Sequence, residues 1–418
     1  MVWKRFLPYL CVRLIPQNLM FSNFCHLLNC IILKIIILKM GKRVLFIIDQ
    51  IKTGGAEKIL LEYDKYLLSH GYKTKIFVLY NDNDNERYEY GCRANTSNII
   101  VKTIQQFKLY WKLRTVINNY KPDVLFSFLE RSNILASWLP TTAIKVVTVH
   151  NILSIQYKKL HPILFRIMKK VIRTCYSRVP ILIAVSNSIK CDLMKKYNLA
   201  GDNIIVVTNK TDPFKIEIAS NEPISEFEWD HNAKYLINIG RFCHQKAQWK
   251  VIKTIKYLKT NYPELNMKGI IMGDGELKSD LYKYRAKLHL EDEIIIMPYQ
   301  KNPYKFIKKS DIFLLPSYFE GCPIVLSEVI ALGIPFVGSK PAVPIDYFCS
   351  DISEWNNATF EITNFSDFDY NIDSETKEIG EKVIKQLSTL SSVSGTRQWN
   401  ESNNKEKQFD EYTKLIED

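Results

Sequence analysis

A chain of 418 residues, 46% hydrophobic and 12% aromatic, is long enough for two packed cores and too apolar to be disordered. A formal net charge of +13, with 24% charged residues, points to an anionic partner. Nine cysteines form no Cys-x-x-Cys pair, which suits free thiols in a reducing cytosol and argues against a disulfide framework.

Residues 1–39 carry Lys4, Arg5, Arg13, Lys34 and Lys39 but no acid. The apolar run 27–38 is interrupted by Asn29 and Lys34, is short for a spanning helix, and precedes no small-residue cleavage site. Cys25, His26 and Cys30 lie in an apolar run without a second ligand pair, so ordinary burial is expected there rather than zinc. Two readings of residues 1–39 stand open: a membrane-associating segment, or an extension upstream of a start at Met40. Either way the folded body is expected from about residue 42.

From there, apolar runs at 44–49, 74–80, 99–102, 123–128, 145–150, 181–185 and 204–208 read as strands, with helical patterns such as 55–70 and 107–120 between them. Residues 209–232 are polar, contain Pro213 and Pro223, and read as an interdomain linker, placed at 213–232. A second series of strands follows at 235–240, 268–272, 294–297, 312–315 and 335–337, separated by helices 248–261, 276–288 and 303–309. Residues 350–404 are polar and hard to place, and 405–417 looks helical. Such alternation predicts an α/β protein of two doubly wound, Rossmann-like domains, 40–212 and 233–395, with a C-terminal helix within 396–418. Their strand ends should enclose a cleft.

The run Glu320-Gly321-Cys322-Pro323-Ile324-Val325-Leu326-Ser327-Glu328 carries the most specific chemistry. Glycine and proline between a strand and an apolar helix expose the first helical N–H groups, near Ile324 and Val325, as a seat for phosphate. Acids beside a phosphate make sense if they take hydroxyls, and a nucleotide-sugar supplies both groups. Gly240-Arg241, with Lys246 five residues on, puts cations after a strand tip, where they can neutralise a diphosphate. Gly273-Asp274-Gly275 matches only part of a dinucleotide fingerprint. In the first half, Gly54 and Gly55 open a helix and form a second anion seat, while His150 closes a strand facing it.

Residues 157–178 combine Ile163, Leu164, Ile167, Met168, Val171 and Ile172 at helical spacing with Arg166, Lys169, Lys170 and Arg173 on the other side. This reads either as a core-facing helix with a wet basic face or as a face for anionic lipid or a lipid-linked pyrophosphate. Ten Lys or Arg and no acid between Arg131 and Cys191 fit that second reading, and no nucleic-acid recognition motif is present.

In order, Gly54-Gly55-Ala56-Glu57, His150-Asn151, Ala184-Val185-Ser186-Asn187-Ser188, Gly240-Arg241 with Lys246, Gly273-Asp274-Gly275 and the E-x7-E element resemble the retaining glycosyltransferases of family 4, over about residues 42–345. The resemblance implies the GT-B fold and transfer of a hexose or N-acetylhexosamine from a nucleoside diphosphate sugar, UDP-linked by expectation, with retention and without a metal. It also implies that Glu328 bonds the ribose hydroxyls and Glu320 the donor sugar. Arg241, Lys246 and the helix start at Ile324 and Val325 would hold the diphosphate, and His150 would lie beside the transferred sugar. Backbone near Pro298 and Tyr299 would read the base. A saccharide acceptor on a polyprenyl diphosphate, used at the inner face of the cytoplasmic membrane in surface-polysaccharide assembly, completes the expectation.

The chain departs from the family pattern where Ala247 replaces a glycine, where Asn209-Lys210 replaces Asn-Gly, and where Gly338-Ser339-Lys340-Pro341 replaces the frequent Gly-Gly-x-x-Glu loop. Asp82-x-Asp84 lies in a polar loop rather than at a strand tip. Two alternatives share the fold: a nucleotide-sugar epimerase, and a non-catalytic membrane-associated partner protein.

Overall fold

Strands buried on both faces need continuous apolar runs, and β1 (Arg43–Ile48, sequence RVLFII) is one. It pairs in parallel with β2 (Lys73–Asn81) on one side and β4 (Val124–Phe128) on the other, with Val44 opposite Thr74 and Val124. β3 (Tyr88–Arg93), β5 (Ile144–Val149), β6 (Ile181–Ala184) and β7 (Ile204–Val206) complete a seven-stranded parallel sheet of order β3-β2-β1-β4-β5-β6-β7. The second sheet has the order β10-β9-β8-β11-β12-β13, all parallel. Its strands are β8 (Lys234–Ile239), β9 (Met267–Met272), β10 (Ile294–Met297), β11 (Ile312–Leu315), β12 (Phe336–Ser339) and β13 (Thr359–Phe360). This computed structural model describes residues 41–51, 54–81, 88–93, 99–158, 160–344, 352–365, 368–388 and 405–417. The segment 1–39, the Asp82-x-Asp84 loop and residues 389–404 lie outside the described residues.

Strand order reverses between β1 and β4 in one sheet and between β8 and β11 in the other. Open parallel sheets bind ligands beyond the carboxyl ends of strands at such points. Gly54 follows β1, His150 follows β5, Arg241 follows β8 and Glu320 follows β11, so the topology alone brings the sequence-predicted residues to two facing rims.

Two expectations need correction. Residues 99–102 are the first turn of a helix, Ile99–Tyr120, and not a strand. A four-residue apolar run does not distinguish the two, and the helical pattern that follows absorbs it. The outer strand is Tyr88–Arg93 instead. The linker, too, is not irregular throughout. The Asp212 side chain accepts from Lys215 N at 3.1 Å and Pro213 takes the first helical position, so Pro213–Ser220 is a helix. It is tied to the second domain through Asn302 Nδ2 to Ala219 O at 2.7 Å and through Lys308 to Glu217.

One apolar cluster runs unbroken between the sheets, joining Val149, Leu153 and Ile189 to Phe313, Leu326 and Val329. Helix Ser374–Ser388 packs on the second sheet through Ile379 and Val383. The final helix, Lys405–Glu417, instead completes the first domain's core: the Tyr412 ring lies 5.2 Å from Tyr63 and 5.5 Å from Phe126. Among the described residues no helix is long and apolar enough to cross a membrane.

Candidate active site

The loop after β11 is fixed before it reaches the cleft. Tyr318 N donates to Gln245 O at 2.8 Å and Gln245 Nε2 to Phe319 O at 2.9 Å, zipping the loop to the segment after β8. That zipper brings Glu320 to Lys246, whose Nζ lies 2.5 Å from the carboxylate. Both are largely buried, so the pair is held as a unit. Pro323, in extended conformation, then caps helix Ile324–Ala331. Its first N–H groups, at Ile324 and Val325, have no intrahelical acceptor.

The Arg241 backbone is fixed by Gln248, whose Nε2 donates to Arg241 O at 2.9 Å. Its guanidinium is exposed and bonds Glu276 at 3.2 Å, and not Glu320 or Glu328. The Gly-Asp-Gly run serves this loop. A Cβ on Gly273 would lie 2.0 Å from Gly240 O, and one on Gly275 would lie 2.4 Å from Phe242 O, both glycines having φ near +155°. Ala247 adopts φ +49°, the left-handed conformation a glycine would take without strain.

Glu328 has other partners. Its buried carboxylate accepts from Lys58 Nζ at 2.7 Å and from Tyr304 Oη at 3.0 Å, and those two donors lie 3.2 Å apart. Lys58 belongs to the first domain's helix Gly55–Ser69, so this cluster bridges the cleft. Burial works against the Lys58 charge, but Glu328 and Tyr304 outweigh it and hold the ammonium above the ordinary lysine range. Burial, with the Glu328 charge, pushes the Tyr304 phenol up to about 12.

The first domain meets the same loop at three further points. A Cβ on Gly321 would lie 1.9 Å from His150 O, and one on Gly55 would lie 3.2 Å from Ile324 Cδ1. Asn209 Nδ2 donates to Cys322 O at 3.0 Å, so this asparagine crosses the domain boundary. His150 is buried, stacked 5.5 Å from Phe128, with Nε2 3.0 Å from Thr148 Oγ1. Thr148 Oγ1 donates to Ser127 O at 2.9 Å, so it accepts from His150 Nε2–H, which leaves Nδ1 as the bare nitrogen. Burial pulls the imidazole down to about 4, and it is neutral at physiological pH.

Lys58, Tyr304, Asp49 and Glu130 were not singled out by sequence. A lysine in the first turn of a helix opposes the macrodipole, and that was the available signal for Lys58. Glu130 follows β4 after Leu129 at φ +71°. Burial, reinforced by the Asp49 charge, pushes its carboxyl up to about 7, and Oε1 has no hydrogen-bond partner. Asp49 accepts from Ser132 N and Oγ at 2.8 and 2.6 Å.

Two facing parallel-sheet domains, with a paired acid and lysine and an open helix terminus between them, define a GT-B glycosyltransferase. The chain matches the model of Glycosyltransferase Family 4 over residues 53–213 and that of Glycosyl transferases group 1 over residues 220–366, and it belongs with these glycosyltransferases. It is 26% identical over 309 residues to an uncharacterized glycosyltransferase of Methanocaldococcus jannaschii, covering 71% of this chain and 72% of that one. It is 25% identical over 290 residues to the N-acetylgalactosamine-N,N'-diacetylbacillosaminyl-diphospho-undecaprenol 4-alpha-N-acetylgalactosaminyltransferase of Campylobacter jejuni, covering 67% and 75%. In fold it is similar to Anabaena HepE, solved in complex with UDP-glucose, at a TM-score of 0.63, 13% identity and coverage of 90% and 99%.

Proposed function

We propose that this glycosyltransferase moves a hexose or N-acetylhexosamine, with retention, from a UDP-linked donor to a saccharide carried on a polyprenyl diphosphate. The Lys246–Glu320 pair beside the open terminus of helix Ile324–Ala331 carries the reading. There the donor diphosphate would accept from the Ile324 and Val325 N–H groups and from Lys246, with Arg241 leaving Glu276 to join it. These groups stabilise charge as the sugar–phosphate bond breaks, the task a metal performs elsewhere. Glu320 would bond the donor sugar and Glu328 the ribose hydroxyls. Neutral His150 would pack beside the transferred sugar, with Gly54 and Gly55 facing the acceptor side. The leaving phosphate itself would take the acceptor proton on the same face, which preserves the anomeric configuration.

Helix Pro162–Tyr176 supports action at a membrane surface. Its buried side is Ile172, Cys175 and Tyr176, whereas Ile163, Leu164 and Ile167 are more than half exposed next to Arg166, Lys169, Lys170 and Arg173. Apolar side chains in water beside cations fit an anionic headgroup layer, and hence the inner face of the cytoplasmic membrane and surface-polysaccharide assembly. The relatives that act on undecaprenol-linked saccharides support the same acceptor class.

The test is transfer from a panel of nucleotide-sugars to undecaprenyl-diphosphate saccharides, with the product anomer read by NMR. Glu320→Ala should lose turnover with its circular dichroism unchanged. A Glu320→Ala protein at full activity, or an inverted product, would refute the assignment.

A further inference from the structure

Lys58 stands where a carboxylate of the opposite domain would otherwise be buried without a counter-charge. Its side chain keeps 40% of its surface, but the Glu328 side chain keeps only 7%, so the acid is the desolvated partner and the one that must always be satisfied. Lys58 sits in the first turn of its helix, against the macrodipole, and its gain comes from across the cleft.

The two helix starts adjoin, with Gly55 packed against Ile324. Ile324 and Glu328 are four residues apart on one helix, about 6 Å along its axis. A lysine stem rotating about its own bonds spans that distance, so the same ammonium can reach either the carboxylate or the helix terminus.

We propose that Lys58 is the first domain's contact to the donor diphosphate: it holds the ribose-diol seat on Glu328 before nucleotide binds, and passes to the diphosphate when the diol takes that carboxylate. The exchange leaves neither group without hydrogen-bond partners. Before nucleotide binds, Lys58 balances Glu328. In the complex two ribose hydroxyls donate to Glu328, and the freed ammonium joins Lys246 on the phosphates. This rests on the reading of Glu328 as the diol acceptor. It adds that nucleotide binding and the interdomain bridge compete for one atom, so the phosphates, and not the nucleoside, drive the exchange.

The experiment is calorimetric titration of uridine and of UDP, with guanosine and GDP in parallel, into wild type, Lys58→Met, Lys58→Gln and Lys58→Arg. For the base that wild type accepts, Lys58→Met should bind the nucleoside as well or better and the diphosphate at least tenfold more weakly. The ratio of the two dissociation constants should therefore collapse by at least tenfold. Lys58→Gln, which can still bond Glu328 but carries no charge, should show the same collapse and decides the matter if the methionine variant does not fold. Lys58→Arg should keep the ratio. A merely structural bridge would shift both ligands equally, and an unchanged ratio overturns the proposal. If wild type binds neither nucleoside nor nucleotide, the nucleotide-sugar reading of the site fails and the proposal falls with it.

Discussion

The His150 carbonyl oxygen and Gly321 touch so closely that no side chain fits between them: a Cβ on Gly321 would sit 1.9 Å from that oxygen. Gly321 lies one residue after Glu320, so the backbone of the first domain directly sets the position of the second domain's acid. Gly321→Ala must push the rims apart. A displacement near 1 Å at a reacting centre costs about 10²-fold in rate. The variant should therefore lose about 10²-fold or more in turnover while each domain stays folded, as read by transfer assay and circular dichroism. Wild-type turnover would mean that the contact is dispensable.

Ala247 offers a test of backbone strain. At φ +49° a residue with a Cβ gives up roughly 1–2 kcal/mol. Ala247→Gly relieves that, but loses a buried methyl worth about 0.8 kcal/mol and adds backbone freedom to the unfolded chain. The terms nearly cancel, so denaturant unfolding should show a change below about 0.5 kcal/mol. Ala136→Gly, at a buried position inside helix Glu130–Trp138, has no strain to relieve and should cost roughly 1.5 kcal/mol.

Two buried groups give stability opposite pH slopes. Glu130 titrates at about 7 when folded against an ordinary value of 4.5, so its contribution is full below about pH 4.5 and is lost as pH rises through 7. His150 falls from 6.5 to about 4 on folding, so its contribution is full above about pH 6.5 and is lost as pH falls through 4. Between about pH 4.5 and 6.5 the two slopes oppose and nearly cancel, so the stability read by urea unfolding should vary little there. Glu130→Gln should remove that opposition and leave a rise of roughly 3 kcal/mol from about pH 4 to 6.5, and an unchanged profile would show that Glu130 is ionised in the fold.

The surface of helix Pro162–Tyr176 is open to vesicle sedimentation. Each Lys or Arg near an anionic surface contributes about 1 kcal/mol. Replacing Arg166, Lys169, Lys170 and Arg173 together by Gln should weaken binding to phosphatidylglycerol vesicles by about 10³-fold. Soluble-acceptor turnover should be unaffected. Equal binding by wild type and variant would remove the membrane role.

Both sheets were legible because a doubly covered parallel strand must be apolar along its length, as β1, β4 and β11 are. Tyr88–Arg93 escaped because an edge strand with polar residues shows no such run, and its place was given to 99–102. Helix Pro213–Ser220 hid in a polar, proline-containing stretch that reads as a linker. In the site, helix-terminus chemistry flagged Glu320 and Glu328 and the strand tip flagged Lys246, and the pairing of Glu320 with Lys246 follows from the zipper between Gln245 and residues 318 and 319. Nothing local links residue 58 to residue 328. Their meeting depends on how two domains face each other, which no pattern within either one encodes.

Helix Lys405–Glu417 seals the sheet whose first strand begins at Arg43. A ribosome making this protein therefore exposes the amino-terminal core, unfinished, until more than three hundred further residues have emerged. Nascent chains stalled near residue 400 should be far more protease-sensitive in their first half than the released protein.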